Sequence, residues 1–445
     1  MRTFPLLFSI VAVFSRFESD GADVEKPLAL ETEIRARSAA IEENVIKWRR
    51  DIHQHPELGD QEKRTSRLVA DHLLALGLDV RTNVARTGVI GILKGARPGK
   101  TVGLRADMDA LPVKEPEGLP FASKEKGVYE GQEVDLMHAC GHDAHTAMLM
   151  GVAQVLSGLR EQLAGNIMFI FQPAEEGSSV YSPFSGKSWG AKLMLEEGIF
   201  KAQKPDAVFA VHVMPGASGE ISYRIGSLTA ASDNLQITVT GKQGHGGMPW
   251  NTIDPITTSA AIISGVQTIV SRRTDLTLSP AVVTIGTIQG GTRANIVPDK
   301  VTMTGTIRTY DEGIREQVSR EVVNTAQKIA ESAWAKAEVV VAKQYPTTVN
   351  DEKLAQRMLP VIKRSADGKV ATGRLSGASE DFSYFAQEAP GLYLFLGITP
   401  PDQDPAAAAP NHNPGFFVHE PALVVGVRTM ASLAVNSLMA PTERE

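Results

Sequence analysis

Three histidines, one cysteine and one aspartate lie within eight consecutive residues, from His138 to His145. Thiolates and neutral imidazoles are good ligands for zinc and similar divalent ions. Cys140 and His142 are separated by one glycine, and this spacing lets both side chains turn toward one ion from a loop that precedes a helix. An isolated histidine is more often a surface or core residue, but a cluster of this density predicts a metal site.

Two adjacent glutamates, Glu175 and Glu176, follow a predicted strand at Asn166–Phe171. Neighbouring carboxylates at a strand end suit one metal ligand and one general base, because the two side chains can point to different atoms. Another predicted strand, Ala207–His212, ends in a histidine. Ligands of open α/β sheets gather beyond the carboxyl ends of the strands, so this repetition favours a site at that edge.

Three further segments place polar side chains at strand ends or in loops. One predicted strand ends in Asp107-Met108-Asp109, His245 lies among glycines, and His412 lies in a turn between two prolines. These segments are unusual, but the residues alone assign no role to any of them.

The segments that must position these residues alternate between helical and strand periodicity. This alternation predicts an α/β fold in which a mostly parallel mixed sheet is flanked by helices. The predicted helices are Glu31–Gln54, Arg64–Leu76, His145–Leu159, Gly190–Glu197 and Asp351–Ala366, with a last helix within Glu420–Met439. The predicted strands are Leu78–Asn83, Thr87–Lys94, Thr101–Ala106, Asn166–Phe171, Ala207–His212 and Gly391–Gly397.

In the second half of the chain the order changes to strand, helix, strand, strand, helix, strand, which is that of a ferredoxin-like α+β module. Its predicted elements are Asn234–Gly241, Pro255–Ser271, Ala281–Gln289, Lys300–Tyr310, Glu312–Trp334 and Ala337–Lys343. Because elements of the first type resume afterwards, we expect this module to be inserted into the main domain. The predicted boundaries are a leader at 1–27, the main domain at 28–226 and 346–445, and the inserted module at 227–345.

The composition is that of an ordinary globular protein, with 445 residues of which 42% are hydrophobic and 22% charged. Such a chain buries a large core, which excludes wholesale disorder and collagen-like or coiled-coil architectures. The formal net charge is −6 and no segment carries a dense basic run, so we expect no nucleic-acid partner. The single cysteine excludes a disulfide within the chain.

The first 27 residues are interpreted as a signal peptide and leader. Arg2 supplies a positive start, residues 4–14 form an apolar stretch of eleven, and polar residues follow. Eleven residues are too few for a membrane helix, which needs about 20, and no later segment is expected to approach that length. The expected location is secreted or periplasmic, or cytoplasmic if the leader is not a signal peptide.

The motifs resemble those of the M20 metallopeptidase family, and most closely its amidohydrolase subgroup of N-acyl-amino-acid, hippurate and auxin-conjugate hydrolases. The resemblance runs from about Trp48 to His412 and carries six motifs in order. It implies two divalent metal ions, zinc or manganese before cobalt or nickel, and Glu175 as the general acid/base that activates a bridging water. The implied metal ligands are Cys140, His142, Glu176, His212 and His412.

The resemblance also implies that the inserted module is a lid or dimerisation domain, and that the protein is a homodimer through it. His245 matches a histidine that reaches the active site, often from the neighbouring subunit, and polarises the scissile carbonyl. Asn295 and Arg308 match positions associated with the substrate carboxylate, which a cationic fork suits.

Two segments depart from the family pattern. Other M20 branches carry a His-x-Asp pair where this chain has Asp107 and Asp109, so neither residue is predicted as a ligand. Residues 178–188 form an inserted loop beside the expected cleft, and we expect this loop to change the substrate preference. The remaining polar residues of the histidine cluster are expected to support the ligands or the fold.

The predicted function is hydrolysis of the amide bond of N-acyl amino acids by a metal-dependent amidohydrolase. The alternative within the family is a carboxypeptidase or dipeptidase that acts on short peptides. A cysteine hydrolase with Cys140 as nucleophile would stay active after chelation, whereas a metal-storage protein with the same ligands would hydrolyse no amide.

Overall fold

The computed structural model describes the backbone of residues 17–440 and the side chains of residues 27–440. Residues 1–16, which are most of the predicted signal peptide, lie outside the described residues. The described helices are α1 (Phe17–Ala40), α2 (Glu42–Gln54), α3 (Lys63–Ala75), α4 (His142–Ser157), α5 (Gly190–Glu196), α6 (Pro255–Arg273), α7 (Glu312–Ser332), α8 (Glu352–Ser365), α9 (Phe382–Glu388) and α10 (Leu423–Met439).

The described strands belong to one large sheet, one four-stranded sheet and three short pairs. They are β1 (Asp79–Val84), β2 (Gly88–Lys94), β3 (Arg97–Asp107), β4 (Lys126–Tyr129), β5 (Gln132–Asp135), β6 (Ala164–Gln172), β7 (Ala207–Ala217), β8 (Ile221–Tyr223), β9 (Gly226–Thr229), β10 (Ala231–Thr240), β11 (Gly244–His245), β12 (Ala281–Gly290), β13 (Ile296–Val297), β14 (Lys300–Thr309), β15 (Lys336–Lys343), β16 (Thr348–Asn350), β17 (Val370–Thr372) and β18 (Gly391–Thr399).

The main sheet has the strand order β1-β2-β6-β3-β7-β18-β8-β17. Its central strands β6, β3, β7 and β18 are parallel, whereas β2 and β8 pair with them in the antiparallel direction. The predicted α/β fold with a mostly parallel mixed sheet is therefore confirmed. The carboxyl ends of the central strands meet at one edge, and that edge carries the site.

Successive side chains of β6 enter two different hydrophobic cores, one on each face of the main sheet. Ile167 and Phe169 join the core that α1, α2, α4, α8 and α10 cover. Met168 and Ile170 join the core that α5 and α9 cover. The sequence of a parallel strand that is covered on both faces is a nearly continuous run of apolar residues. The apolar run in β6 has this origin.

The elements from Ala231 to Lys343, called here the inserted module, form a separate sheet with its own core. The strand order is β12-β14-β10-β15 and every neighbouring pair is antiparallel. With α6 and α7 this is the ferredoxin-like topology that the sequence pattern predicts. At the boundary with the main domain, β9 before the module pairs with β16 after it.

The prediction of one helix over Glu31–Gln54 is wrong. The backbone leaves the helical region at Ile41, with φ −108° and ψ 4°, so that α1 ends at Ala40 and α2 begins at Glu42. The break lets α1 pack on α10 while α2 packs on α4. Apolar periodicity continues through both helices, and a pattern of this kind does not detect a local change of direction.

The expectation that no later segment approaches a membrane-spanning length is also wrong. Residues Glu420–Met439 are long and apolar enough, by length and composition, to cross a membrane. In the structure 72% of an apolar 18-residue stretch of this segment is buried inside the fold, where α10 packs against α1, α4 and α8. Its apolar character therefore has a packing explanation, because a core helix is hydrophobic all round.

Candidate metal centre and active-site cleft

The loop before α4 brings two predicted ligands against β7. Gly141 has a left-handed backbone with φ 99°, and a Cβ there would lie 2.2 Å from Val213 Cγ2. Only glycine permits this approach. α4 begins at His142, almost one turn before its predicted start, and the ligand atoms of Cys140, His142 and His212 lie within 4.8 Å of one another.

A turn after β18 carries the fifth predicted ligand to the same place. The N–H of His412 donates to the main-chain oxygen of Ala139 (2.8 Å), and Asn411 Nδ2 donates to that of Cys140 (2.8 Å). These two bonds hold the turn against the cysteine loop. The ligand atoms of Cys140, Glu176 and His412 also lie within 4.8 Å of one another, so the cysteine sulfur belongs to both groups.

Two of the histidines present Nε2 to the site because Nδ1 is already bonded. His142 Nδ1 donates to the main-chain oxygen of Asp109 (2.8 Å), and His212 Nδ1 donates to that of Val213 (2.8 Å). The Nε2 atom of His142 is buried and has no hydrogen-bond partner among the described residues. Histidines that bind a metal usually donate the other ring N–H to an oxygen, and an orphaned, buried Nε2 fits a metal ligand.

The contact between His412 and Glu176 also fits a shared cation. Nε2 and Oε1 are 2.8 Å apart, yet Oε1 has no aligned hydrogen bond among the described residues. Bonds to Cys140 and Glu176 raise the pKa of His412 to about 10. The thiol of Cys140 and the carboxylate of Glu176 therefore favour a positive charge at this position. The donors (a thiol, imidazoles and a carboxylate) are those that bind zinc and other borderline divalent ions.

Asp107 and His145 lie beside the ligands but their polar atoms are engaged elsewhere. His145 Nδ1 donates to Asp107 Oδ1 (2.6 Å), and the N–H of Val213 donates to His145 Nε2 (2.8 Å). Arg105 Nη1 donates to Asp107 Oδ2 (2.7 Å). Both carboxylate oxygens of Asp107 are thus hydrogen-bonded, although its ligand atom lies close to those of His142 and His145 in one group and to those of Glu175 and Glu380 in another.

The two adjacent glutamates are held by carboxylates that sequence reasoning did not connect to them. Ala174, with a left-handed φ of 50°, donates its N–H to Glu62 Oε1 (2.8 Å). The N–H of Glu176 donates to Asp109 Oδ2 (2.9 Å). Because the N–H groups of Ala174 and Glu176 are both hydrogen-bonded, the backbone that carries the two glutamate side chains is fixed.

Glu175 is buried, and it forms a third group of ligand atoms with His142 and Glu176. Burial raises the pKa of Glu175 well above its usual value, and the charges of Glu380, Glu176 and Asp381 raise it further. A cation bound among the ligands opposes this shift. A buried carboxylate whose proton affinity responds to an adjacent cation is suited to proton transfer.

A buried arginine binds three carboxylates below the site, and sequence reasoning missed it. Arg105 Nη1 donates to Asp107 (2.7 Å), and Nη2 donates to Glu380 Oε1 (2.8 Å) and Asp381 Oδ1 (3.1 Å). The hydroxyl of Tyr393 donates to Glu380. A signal was present for Arg105, because residues i and i+2 of a strand share a face and Asp107 lies in a segment already noted for its polar side chains.

Tyr345 contacts the site from the segment that follows the inserted module. Its hydroxyl donates to the main-chain oxygen of Glu175 (2.6 Å), and Trp189 Nε1 donates to that hydroxyl (3.1 Å). Neither aromatic residue belongs to a motif, so no sequence pattern indicates the contact.

The site opens into a cavity of about 580 Å³, whose wall includes Glu175 and every predicted ligand except His142. Arg308 also lies in this wall and donates to Ser379 Oγ (2.7 Å). His245 and Asn295 do not line this cavity. They lie together in the inserted module, where β11 pairs with β13, and both are exposed.

The model of peptidase family M20/M25/M40 matches residues 103–436 of the sequence. The chain belongs to this family. The resemblance inferred from the motifs is thus confirmed, and the protein is a metal-dependent hydrolase of the M20 type.

Its M20 relatives include both peptidases and deacylating enzymes. A thermostable carboxypeptidase of Saccharolobus solfataricus is 41% identical over 399 residues, which are 89% of this chain and 96% of that protein. The N-acetylcysteine deacetylase of Bacillus subtilis is 36% identical over 398 residues, which are 89% of this chain and 97% of that protein. The crystal structure of a dinuclear metal-binding M20 peptidase from Bacillus subtilis matches with a TM-score of 0.72 at 33% identity, covering 90% of this chain and 99% of that chain.

Proposed function

We propose that the protein hydrolyses the amide bond of N-acyl amino acids that carry a free carboxylate. The observation that carries the proposal is the position of Glu175, which shares a cavity wall with candidate metal ligands and with Arg308. The cavity has the size of a small-molecule site. The likeness to a deacetylase of an N-acetylated amino acid supports the same reaction class.

The residues that would hold two divalent ions, zinc or manganese before cobalt or nickel, are Cys140, His142, Glu176, His212 and His412. Bound ions supply Lewis acidity, which makes a water molecule easier to deprotonate and polarises a carbonyl group. Cys140 belongs to two of the ligand groups, and this supports two neighbouring ions.

In this mechanism the chain's own residues move one proton and hold one carboxylate. Glu175 accepts the proton of the attacking water and then donates it to the amine nitrogen as the amide bond breaks. Arg308, which is half-buried in the cavity wall, binds the carboxylate of the amino acid. A guanidinium suits this task because its N–H groups match both carboxylate oxygens.

Replacing Glu175 tests the proposal. Glu175→Gln keeps the shape of the side chain but cannot accept a proton, so kcat should fall by about 10²- to 10⁴-fold while metal content and circular dichroism match the wild type. Glu388→Gln is the matched control, since Glu388 pairs with Lys204 through exposed side chains. Near-normal turnover of N-acyl amino acids by Glu175→Gln would reject the assigned base.

A second candidate function is hydrolysis of short peptides by a carboxypeptidase or dipeptidase. The observation that favours it is the likeness to a thermostable carboxypeptidase at 41% identity. Kinetics with N-acetyl amino acids and with dipeptides of the same C-terminal residue distinguish the two. A higher kcat/KM for the dipeptides would replace the first proposal with the second.

We also propose a homodimer that forms through the inserted module, with His245 acting in the cavity of the partner. Within one chain His245 is exposed and does not line the cavity, and Asn295 lies beside it. β12 is an edge strand with exposed Val282 and Ile288, and such an edge can pair with a second copy.

Mixing two inactive variants tests this assembly. Glu175→Gln and His245→Ala are each expected to be inactive, whereas a mixed dimer has one complete site and recovers activity. No recovery after subunit exchange, or a fully active monomer by light scattering, would reject the role of His245 across subunits.

Export through residues 1–27 remains our proposal for location. Mass spectrometry of the protein from the envelope or medium of its host checks it, since export predicts a chain that lacks this leader. Full-length protein confined to the cytoplasm would reject it.

A further inference from the structure

The loop at residues 178–188 begins one residue after the two adjacent glutamates of the site and forms part of the cavity wall through Ser178, Tyr181 and Pro183. Its base is fixed to the main domain. Ser178 Oγ donates to Asp60, whose side chain is fully buried, and Arg86 Nη1 donates to the same carboxylate (2.9 Å).

Arg86 also holds the loop at two further points. Its guanidinium carbon lies 4.9 Å from the centre of the Tyr181 ring, and Nη2 donates to the main-chain oxygen of Ser188 (3.2 Å). Gln344 Nε2 donates to the main-chain oxygen of Pro183 (3.1 Å). The loop is therefore anchored at its base, its end and its middle, and Tyr181 has a defined place in the wall.

The cavity wall is rich in planar rings. The aromatic residues that line it are Tyr129, Tyr181, Trp189, Tyr345, Tyr393 and Phe395. Trp189, Tyr345 and Tyr393 use their polar groups to hold the site together. Tyr181 instead places its ring against Arg86, which is not one of the candidate metal ligands. The ring is half-buried and therefore offers apolar surface to a ligand in the cavity.

We propose that Tyr181 determines acyl-group specificity by stacking on a planar aromatic acyl group of the substrate. This inference rests on the proposed hydrolysis of N-acyl amino acids and assigns its preferred acyl class. Aromatic rings in contact gain free energy beyond that of area burial, and a small aliphatic acyl group lacks this contribution. Arg86 acts as a positioning residue, because it fixes the ring from outside the cavity.

The test compares N-benzoylglycine with N-acetylglycine, which release the same amino acid. Tyr181→Ala should lower kcat/KM for the benzoyl substrate by about five- to tenfold, mainly through KM, and change that for the acetyl substrate by less than about twofold. Tyr181→Phe keeps the ring and should keep the preference. Should Tyr181→Ala not fold, Tyr181→Leu takes its place, since it keeps apolar volume without a planar ring.

Phe184→Ala is the matched control, because Phe184 is an aromatic residue of the same loop that lines a neighbouring cavity instead. It should leave the benzoyl-to-acetyl ratio unchanged. Equal losses on both substrates in Tyr181→Ala, or a loss of preference in Phe184→Ala, would overturn the assignment, as would a wild type without benzoyl preference. A wild type that hydrolyses neither substrate overturns the proposed function, and this inference with it.

Discussion

The hydroxyl of Tyr345 donates a hydrogen bond to the main-chain oxygen of Glu175, with 2.6 Å between the oxygen atoms. Tyr345 follows the last strand of the inserted module, and Glu175 follows the central strand β6 of the main sheet. This bond ties the connection between the two domains to the proposed base.

Tyr345→Phe removes this bond and leaves the ring in place. Because one hydrogen bond contributes about 0.5–1.5 kcal/mol to stability, the free energy of unfolding should fall by about this amount. The looser placement of Glu175 should also lower kcat by about three- to tenfold. Tyr384→Phe is the matched control, since the Tyr384 hydroxyl donates to the main-chain oxygen of Gln344 (2.6 Å) and not to Glu175. It should lower stability to a similar extent and leave kcat unchanged. Equal kinetics for both variants would show that the bond does not position Glu175.

Chelation should abolish activity and lower the melting temperature, because ions that bind only the folded state stabilise it. Cys140→Ser should reduce the bound metal measured by mass spectrometry, since it exchanges the thiolate for a poorer ligand. His55→Gln, a change of a histidine at the end of α2, should retain the wild-type metal content. Full activity after chelation, together with inactivation by thiol alkylation, would favour a cysteine hydrolase.

Arg105→Met should destabilise the protein by about 3–5 kcal/mol, because it leaves buried carboxylates without their cation. Arg105 is 2% exposed and pairs with Asp107, Glu380 and Asp381. The measurement is the free energy of unfolding in urea. Arg37→Met, which breaks an exposed pair with Glu33, should cost less than about 1 kcal/mol. Similar costs for the two variants would contradict the importance of the buried cluster.

Glu62 should make stability depend on pH. Burial, and then the charge of Asp109, raise the pKa of Glu62 to about 8 from an ordinary value of 4.5. The folded state then binds the proton more tightly than the unfolded state. The resulting contribution of Glu62 to the free energy of unfolding is complete below pH 4.5 and is lost as the pH rises through about 8. The melting temperature of the wild type, compared with that of Glu62→Gln at the same pH, should therefore fall between pH 5 and about 9.

The control for this prediction is Glu43→Gln, a change at an exposed position of α2. The difference in melting temperature between Glu43→Gln and the wild type should stay constant over the same pH range. A difference between wild type and Glu62→Gln that is equally constant would contradict the raised pKa.

Arg308→Met should raise KM for substrates with a free carboxylate by about 10- to 100-fold, because hydrogen bonds to charged groups contribute about 1.5–3 kcal/mol. The corresponding methyl esters should be much less affected. Arg272→Met, a change of an exposed arginine in the last turn of α6, should alter neither KM value. Equal effects of Arg308→Met on acids and esters would mean that the guanidinium does not bind the carboxylate.

Local patterns determined the chemistry and the class of fold. The density of ligands around Cys140, the adjacent glutamates after β6 and the histidine at position 212 could be found from residue types and spacing. The alternation of helix and strand periods predicted the main sheet, and the order of six elements predicted the inserted module. These features depend on residues that are close in sequence, or on periods that each element carries by itself.

Tertiary structure alone decided which polar groups remain available at the site. His142 and His145 lie three residues apart, yet one has an orphaned Nε2 while the other is bonded at both nitrogens. The difference arises from partners on β3 and β7, which are distant in the chain. The same holds for the contact of Tyr345 with Glu175 and for the position of Arg308 in the cavity wall, because hydrogen bonding and burial depend on which segments meet, and a one-dimensional pattern does not record that.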